Sequence, residues 1–434
     1  MADASLAQWL ERLESLHPKS MDLGLERVAS VARTLSLLPV VAPVITVAGT
    51  NGKGSVVAVL EALLERCGRT TGVYTSPHLL RFNERIRVGG SEVGDAEIIS
   101  AFETIDAARG DTSLTYFEFA TLAALLVFAA RKADVLVLEV GLGGRLDAVN
   151  IVDPQVAVIT AIDLDHQAWL GETREAIALE KAGILRRDRP VVIADPAPPP
   201  ALAARAAEVG ASPVLQLGEA FSVETSGQSW CGTLWLGPGE DRRLPPQPVG
   251  PLLPANICAA LQAVVLLGQT FSDEQLQGAT GAAHPRGRRE LVRENGREYL
   301  LDVAHNPAAV DKMLEYIHSK PCKGRTIGLF SAMADKDIPG MLRLAAGHIE
   351  AWFLADQPGN GRAARAADIA AMLREQGQGM ISVSKNLRQA FRRAQGLMGP
   401  DDRLLVFGSF STVAGVLPLL EKDRRRSSAS VLSR

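Results

Sequence analysis

The stretch GTNGKGS at residues 49–55 places one lysine among three glycines, a composition suited to phosphate chemistry. The glycines let the backbone turn its N–H groups toward an anion, and the positive end of the helix that follows adds to the attraction. Lys53 supplies a charge for the outer phosphates of a nucleotide, and Thr50 or Ser55 offers a hydroxyl. The alternative is a strand-to-helix turn that needs glycine only for its geometry. The composition favours phosphate binding.

The loop departs from the general phosphate-loop pattern G-x-x-x-x-G-K-[ST] at two positions. Val47 stands where the first glycine is expected, and Gly54 separates Lys53 from Ser55. The sequence therefore predicts a nucleotide-binding loop of an uncommon kind.

Three side chains able to bind a metal ion follow predicted strands. Ser76 comes after GVYT, Glu139 closes the apolar run DVLVLE, and His166 lies in IDLDHQAWLG. The carboxyl ends of parallel strands meet at one edge of a sheet, so these side chains are expected near the phosphate loop. Each residue alone is typical of an ordinary loop. Together they predict a magnesium site with oxygen and nitrogen ligands.

Lys181 ends the helical pattern ETREAIALEK. It lies three and four positions after Ala178 and Ile177, so it shares their apolar face and is predicted to point inward. A lysine on such a face usually extends its amine to solvent, and that alternative stays open from the residues alone.

Short β-rich runs alternate with longer helical patterns from residue 43 onward, which indicates a parallel α/β sheet. The predicted strands are Val44–Ala48, Gly72–Thr75, Asp134–Val140, Val156–Ile162 and Pro190–Ala194. The predicted helices lie near 53–67, 94–108, 115–132, 172–182 and 198–209. The strands are nearly continuous in Val, Ile and Leu, so helices are expected on both faces of the sheet.

The chain of 434 residues is long enough for two or three domains. Residues 1–290 are predicted to form a large ATP-binding α/β domain of P-loop type, with a mostly parallel sheet and extra N-terminal helices. Strand and helix alternation starts again after an Asn-Gly turn at 295–296, so residues 291–434 are predicted to form a smaller Rossmann-like α/β domain. Ligands are expected at the cleft between the two domains.

The composition excludes several classes of protein. A net charge of −3 gives no electrostatic reason to expect nucleic acid as a partner. No uninterrupted apolar run reaches about 18 residues, so a membrane span is not expected. The four cysteines are widely spaced, which predicts reduced thiols and a cytoplasmic protein, and nothing indicates an obligate oligomer over a monomer.

These motifs resemble the folylpolyglutamate synthase and dihydrofolate synthase family, relatives of the Mur ligases. The similar stretches are MDLGLERV (21–28), VAGTNGKGS (47–55), YTSPHLLRFNERI (74–86), TYFEFAT (115–121), LEVGLGGRLDAVN (138–150), DHQAWLGETREAIALEKAGI (165–184) and LDVAHNP (301–307). The extra glycine after the lysine is this family's version of the loop, and Mur ligases usually lack it.

The resemblance implies which residues bind ATP and carry the chemistry. The ATP contacts would be Thr50, Asn51, Gly52, Lys53, Gly54, Ser55, Asn256, Arg288 and Asp302. The residues with catalytic roles would be Lys53, His166, Lys181 and His305, of which His305 lies near the acceptor amino acid. Arg288 matches an arginine that the family carries in P-G-R, here Arg286-Gly287-Arg288, and Arg289 is the alternative match.

The resemblance also implies two magnesium ions. Ser76, Glu139 and His166 match the family's magnesium ligands. Lys181 matches a lysine that family members carry as a carbamate, formed with carbon dioxide, which turns a cation into an anionic ligand for the second magnesium.

Contacts to the pteroate or folate are implied for Asp22, Leu23, Gly24, Thr115, Tyr116, Phe117, Arg145 and Asp147. These stretches resemble those of bifunctional enzymes. The family's D-A-T-N reads Asp147-Ala148-Val149-Asn150 here, which removes a hydroxyl and leaves Asp147 in place.

The implied activity is an ATP-dependent carboxylate–amine ligation that adds L-glutamate to dihydropteroate and to tetrahydrofolates through an acyl phosphate. One alternative is a monofunctional folylpolyglutamate synthase. A Mur-type ligase would need a preceding domain for a uridine nucleotide, and about 43 residues before the loop strand are too few for one. A P-loop regulatory protein would hydrolyse nucleotide without responding to pteroate or glutamate.

Overall fold

The computed structural model describes residues 4–19 and 21–432, with side chains described as far as residue 425. Within these residues, no helix has both the length and the apolar character that a membrane crossing requires.

The chain folds into two compact units, Met1–Ala283 and His284–Arg434. The strands of the first unit are β1 (Val44–Ala48), β2 (Thr71–Tyr74), β3 (Ile86–Val88), β4 (Ser91–Glu92), β5 (Val135–Glu139), β6 (Val156–Ile159), β7 (Val191–Ile193), β8 (Val214–Gln216), β9 (Ser222–Ser226), β10 (Ser229–Gly237), β11 (Glu240–Arg243) and β12 (Gln247–Pro248). Its helices are α1 (Leu6–Leu16), α2 (Glu26–Thr34), α3 (Lys53–Arg66), α4 (Asp95–Arg109), α5 (Tyr116–Ala130), α6 (Gln167–Leu170), α7 (Arg174–Lys181), α8 (Pro200–Val209), α9 (Pro254–Leu266) and α10 (Asp273–Ala282).

The main sheet of the first unit has the strand order β4-β3-β2-β5-β1-β6-β7-β8. Strands β2, β5, β1, β6, β7 and β8 run parallel, whereas β3 and β4 are antiparallel additions at one edge. Because the parallel strands share one direction, the loops after β1, β2, β5 and β6 leave the sheet at the same edge. These loops carry the predicted phosphate and metal ligands.

Both faces of this sheet are covered, which explains the continuous apolar strands. Val135 and Val137 of β5 pack into the core that contains α3 and α9, whereas Leu136 and Leu138 pack into the core that contains α4 and α5. Alternate side chains of a strand point to opposite faces, so a strand buried on both sides needs apolar residues at every position.

A small antiparallel sheet formed by β9 to β12 packs against α9. Strand β10 alternates in burial, with Trp230 and Leu234 in the core around α9. These four strands are short and pair antiparallel with one another.

The second unit contains a six-stranded sheet in the order β13-β14-β18-β15-β16-β17. Its strands are β13 (Glu290–Glu294), β14 (Arg297–Leu301), β15 (Thr326–Phe330), β16 (Ala351–Ala355), β17 (Ile381–Ser384) and β18 (Arg403–Phe407). Its helices are α11 (Pro307–Ser319), α12 (Ile338–Ala345), α13 (Ala366–Glu375), α14 (Leu387–Leu397) and α15 (Phe410–Leu432). Strand β13 is antiparallel to β14 across the Asn-Gly turn, and the other neighbours are parallel.

The predicted fold class is confirmed: a large, mostly parallel sheet with helices on both faces and a smaller C-terminal α/β sheet. The strand predicted for Val156–Ile162 ends at Ile159, and after it the Ala161 carbonyl accepts hydrogen bonds from the N–H groups of Thr50 and Asn51. The helix predicted for 115–132 begins at Tyr116, since Thr115 is its N-cap and accepts a hydrogen bond from the Glu118 N–H.

Candidate active site

The glycine loop joins the end of β1 to the start of α3, as its composition predicts. Gly52 is the N-cap of α3 and has a φ of +96°, a conformation that L-residues with a side chain rarely adopt. A Cβ at this position would lie 2.8 Å from the amide nitrogen and oxygen of Asn256, in the first turn of α9. Two residues assigned to ATP by the resemblance are therefore in contact, although 204 positions separate them in the chain.

Lys53 extends over its own loop. Its Nζ donates hydrogen bonds to the carbonyl oxygens of Gly49 and Thr50, at 3.0 and 3.4 Å. The amine is thus held over the loop, beside the N-terminal end of α3. Gly54 and Ser55 lie in the first turn of this helix.

Thr50 links the glycine loop to the segment after β6. Its hydroxyl donates to the Asp163 carbonyl at 3.0 Å and accepts from the Asp163 N–H at 3.1 Å. The backbone N–H groups of Thr50 and Asn51 both donate to the Ala161 carbonyl. This pairing joins the phosphate loop to the segment that carries His166.

Ser76 and Glu139 lie side by side at the ends of β2 and β5. The Ser76 N–H donates to Glu139 Oε2 at 3.2 Å, and the carboxylate is almost fully buried. The Ser76 hydroxyl is buried and has no hydrogen-bond partner among the residues that the structure describes. A buried hydroxyl without a partner costs free energy, so its presence beside a carboxylate requires an explanation. A hard cation with oxygen ligands fits this pair of groups.

His166 follows β6 in a left-handed conformation, with a φ of +51°. Its backbone N–H donates to the Asp165 carboxylate at 2.9 Å, and its Nε2 lies 3.9 Å from the same carboxylate. Asp165 is buried and was not predicted as a site residue. No group of three or more His, Cys, Asp or Glu side chains with metal-binding geometry occurs in the part of the chain that the structure describes. Ser76 and Lys181 lie outside those residue types.

Lys181 is buried at the end of α7, as its spacing predicted; 3% of its surface is exposed. Burial and, after it, the charge of Lys53 lower the pKa of Lys181 to about 7, whereas Asp165 and Asp147 oppose the shift. A substantial fraction of a lysine with this pKa is neutral at physiological pH. The neutral amine is nucleophilic, unlike an ordinary surface lysine.

Two of the predicted pteroate-binding stretches are connected through Arg27. Arg27 makes an ion pair with Asp22 at 2.8 Å and lies 3.2 Å from the Glu118 carboxylate. Glu118 in turn accepts a hydrogen bond from the backbone of Thr115 at 2.7 Å. Leu23 and Gly24 continue the loop from Asp22 toward α2.

Tyr116 and Phe117 begin α5 with different neighbours. The Tyr116 ring lies 5.6 Å from the Arg85 guanidinium. A Cβ at Gly141 would lie 2.6 Å from the Phe117 ring and 3.2 Å from Asp147, so glycine permits this close approach.

Arg145 and Asp147 belong to the loop after β5. Arg145 makes an ion pair with Glu180 at 2.8 Å, next to Lys181. Asp147 is buried and accepts hydrogen bonds from the N–H groups of Leu142 and Val149, at 2.9 and 3.0 Å. Burial raises the pKa of this carboxyl to about 6, although those N–H groups oppose the shift. The side chain of Asp147 therefore shapes its own loop.

Three predicted residues lie together in the second unit. Asp302 is buried and accepts hydrogen bonds from the Arg289 and Ala304 N–H groups, at 3.1 and 2.8 Å. Burial raises its pKa, and the charges of Arg289 and Arg288 oppose the rise. His305 follows in the same turn, with its Nδ1 2.9 Å from the Val303 carbonyl.

Comparison with known proteins shows the class of enzyme to which the chain belongs. A family model of the Mur ligase middle domain matches residues 47–220, and a model of the Mur ligase, glutamate ligase domain matches residues 287–410. The chain is therefore an ATP-dependent ligase of the Mur ligase class.

Individual relatives define the family within that class. The dihydrofolate synthase/folylpolyglutamate synthase of Escherichia coli (strain K12) is 41% identical over 428 residues, which are 98% of this chain and 97% of the relative. The structure of E. coli FolC in complex with DHPP and ADP has a TM-score of 0.91 and 39% identity, over 98% of this chain and 99% of that one. A bifunctional folylpolyglutamate synthase/dihydrofolate synthase with Mn, AMPPNP and L-glutamate bound has a TM-score of 0.89 and 41% identity, over 97% and 99% of the two chains. This chain belongs to the dihydrofolate synthase/folylpolyglutamate synthase family.

Proposed function

We propose that this protein adds L-glutamate to dihydropteroate and to tetrahydrofolates, using ATP. The observation that carries the proposal is the buried Ser76 hydroxyl beside the Glu139 carboxylate, at the strand ends of the sheet that carries the glycine loop. Within the described part of the chain this hydroxyl has no hydrogen-bond partner. Such a pair suits the magnesium of a bound nucleotide, and family membership supports glutamate ligation over other uses of ATP.

The reaction forms an amide through an activated carboxylate. A carboxylate oxygen of the pteroate or folate attacks the γ-phosphorus of ATP, the bond to the β-phosphate oxygen breaks, and ADP leaves an acyl phosphate. The amine of glutamate then attacks the acyl carbon and loses a proton, and phosphate departs with the former carboxylate oxygen. Each step builds negative charge that fixed positive groups can stabilise.

Lys53 is the fixed cation for the transferred phosphoryl group. The Gly49 and Thr50 carbonyls hold its amine over the loop, so little reorganisation is needed when phosphate enters. Ser76, Glu139 and His166 would hold magnesium, which supplies Lewis-acid stabilisation of the phosphates when bound. Asn256, in contact with Gly52, and Arg288 with Asp302 complete the ATP contacts in this proposal.

In this proposal Lys181 is a carbamate, and this carbamate would be a ligand of the second magnesium ion. Its amine attacks carbon dioxide, a carbon–nitrogen bond forms, and one proton leaves to solvent. A buried, partly neutral amine favours this step. The test is Lys181→Ala, which should lose activity and recover part of it with added short carboxylates. Intact mass of gently handled protein should show the added carbon dioxide, and an unmodified lysine in active protein would contradict the carbamate.

The pteroate or folate would lie against the stretches that Arg27 and Gly141 bring together, which carry Asp22, Thr115 and Phe117. Leu23, Gly24, Tyr116, Arg145 and Asp147 belong to the same proposed surface. The proposal assigns ATP binding mainly to residues 1–290, and assigns the ATP contact of Asp302 and the ligand contacts of His305 to residues 291–434.

We also propose that the protein acts as a cytoplasmic monomer without nucleic acid or membrane partners. The net charge of −3 supports this proposal. Light scattering during size-exclusion chromatography tests the monomer directly.

The experiment that tests the function measures ADP release with magnesium and either dihydropteroate or tetrahydrofolate, with and without L-glutamate. Release that requires both an acid and glutamate is expected with each acceptor. A response to tetrahydrofolate alone would make the enzyme monofunctional. Release that needs neither compound would refute the ligase. Lys53→Ala should abolish release, and Lys132→Ala, which changes an exposed lysine of the same unit, is the control.

A further inference from the structure

Phe410 of the second unit contacts two residues that the proposed function uses. It is the first residue of α15, and its ring lies 5.1 Å from the Arg288 guanidinium and 6.0 Å from the His305 ring. We propose that Phe410 is a positioning residue that holds Arg288 and His305 for ligation. This inference rests on the proposed function, because it assumes that Arg288 and His305 act in the ligation.

The neighbouring residues Arg288 and Arg289 pack against two different aromatic rings. Arg289 places its guanidinium 5.5 Å from the Tyr316 ring in α11. Arg288 turns to Phe410 instead. A guanidinium over an aromatic face is attracted by the ring's electron density, so each ring selects one arginine. The two arginines therefore have different aromatic neighbours, and this inference takes Arg288 as the arginine that binds ATP.

His305 is fixed by two contacts of different kinds. Its Nδ1 lies 2.9 Å from the Val303 carbonyl, and a carbonyl can only accept, so Nδ1 carries the proton in this contact. In the neutral ring, Nε2 then carries the lone pair. The Phe410 ring, inclined by 51° to the imidazole, restricts rotation of the histidine.

Hydrogen bonds hold the backbone at the start of α15, where Phe410 lies. Thr412 donates its hydroxyl to the Ser331 carbonyl at 2.6 Å, and its N–H donates to the Ser409 hydroxyl at 3.1 Å. Gly408 has a φ of +110°, and a Cβ there would lie 2.6 Å from the same Ser331 carbonyl. These contacts hold the backbone of the turn independently of the Phe410 ring. Removing the ring should therefore leave the turn in place.

The test compares Phe410→Leu with Phe410→Tyr, which keeps the ring. Phe410→Leu should raise the KM for ATP by about threefold to thirtyfold, the range expected for loss of a cation–π contact. Phe410→Tyr should restore the KM of the parent enzyme. Tyr316→Leu, which removes the ring beside Arg289, is the matched control and should leave the KM for ATP unchanged. Thermal unfolding of each variant verifies that it is folded.

A double-variant cycle tests whether Phe410 acts through Arg288. In an Arg288→Ala background, Phe410→Leu should no longer change the affinity for a non-hydrolysable ATP analogue, measured by calorimetry. A full additional loss in that background would overturn the inference, as would an unchanged KM in Phe410→Leu. Ligation by the parent enzyme is measured first, because its absence would refute the proposed function instead.

Discussion

Replacing Lys181 by methionine should stabilise this protein while removing its activity. The lysine is 3% exposed, and burial together with the charge of Lys53 lowers its pKa to about 7 from an ordinary 10.5. Folding therefore works against the charged amine, and methionine, with a similar shape and no charge, removes that cost.

The size of the effect follows from the two pKa values. Below pH 7 the amine is protonated in both states, and the difference corresponds to about 5 kcal/mol at about 1.4 kcal/mol for each tenfold change. Between pH 7 and pH 10.5 the folded protein has released its proton and the unfolded chain still binds one. Wild-type stability therefore rises with pH across this window, and the penalty falls to about 2 kcal/mol at pH 9.

The assay is denaturant unfolding of wild-type protein and of Lys181→Met, from pH 6 to pH 9, in buffer freed of carbon dioxide. The variant should have the larger free energy of unfolding, and the gap should narrow as pH rises. Groups far from Lys181 titrate alike in both proteins, so the difference reports Lys181 together with the charges that it faces, Lys53, Asp165 and Asp147. Lys132→Met, at an exposed lysine of the same unit, should show no such gap. A constant gap, or a less stable Lys181→Met, would refute the reasoning.

Two further substitutions test the loop and the metal ligands. Ser76→Ala should leave stability unchanged or raise it by about 1 kcal/mol, because the buried hydroxyl has no partner, while the magnesium needed for half-maximal activity rises at least about tenfold. Ser113→Ala removes another buried hydroxyl that has no partner among the described residues, so it should affect stability as Ser76→Ala does but leave the magnesium requirement unchanged; equal magnesium requirements of the two variants would contradict the assignment. Gly52→Ala should cost about 2 to 4 kcal/mol of stability and most activity, since its Cβ meets Asn256 in a left-handed turn. Asn256→Ala should recover part of the stability lost in Gly52→Ala, and no recovery would locate the strain elsewhere.

The sequence predicts the strands at the carboxyl edge of the sheet well, because buried parallel strands are nearly continuous runs of apolar residues. Strand β1 begins and ends as predicted, and β5 lies within its predicted range. Parallel strands place their carboxyl ends together, so the contact of Ser76 with Glu139 could be expected from strand positions alone. The inward position of Lys181 likewise follows from helical spacing.

Contacts between distant segments were harder to predict. Thr50 lies in the glycine loop, where its hydroxyl is expected to contact phosphate. Its hydroxyl instead makes hydrogen bonds with the backbone of Asp163, and no local sequence pattern predicts that pairing. Asp165 directly precedes His166, and this adjacency was the available signal for its place in the site. Strand β4 consists of Ser91 and Glu92, which are too few and too polar to stand out from a turn.

The most direct test of the central claim follows oxygen from the acid to phosphate. Dihydropteroate with both carboxylate oxygens replaced by oxygen-18 is converted with ATP, magnesium and L-glutamate, and the phosphate is analysed by mass spectrometry. Attack of the carboxylate on the γ-phosphorus predicts one labelled oxygen in each phosphate and one retained in the new amide. Unlabelled phosphate, or AMP as the nucleotide product, would contradict the acyl-phosphate ligase.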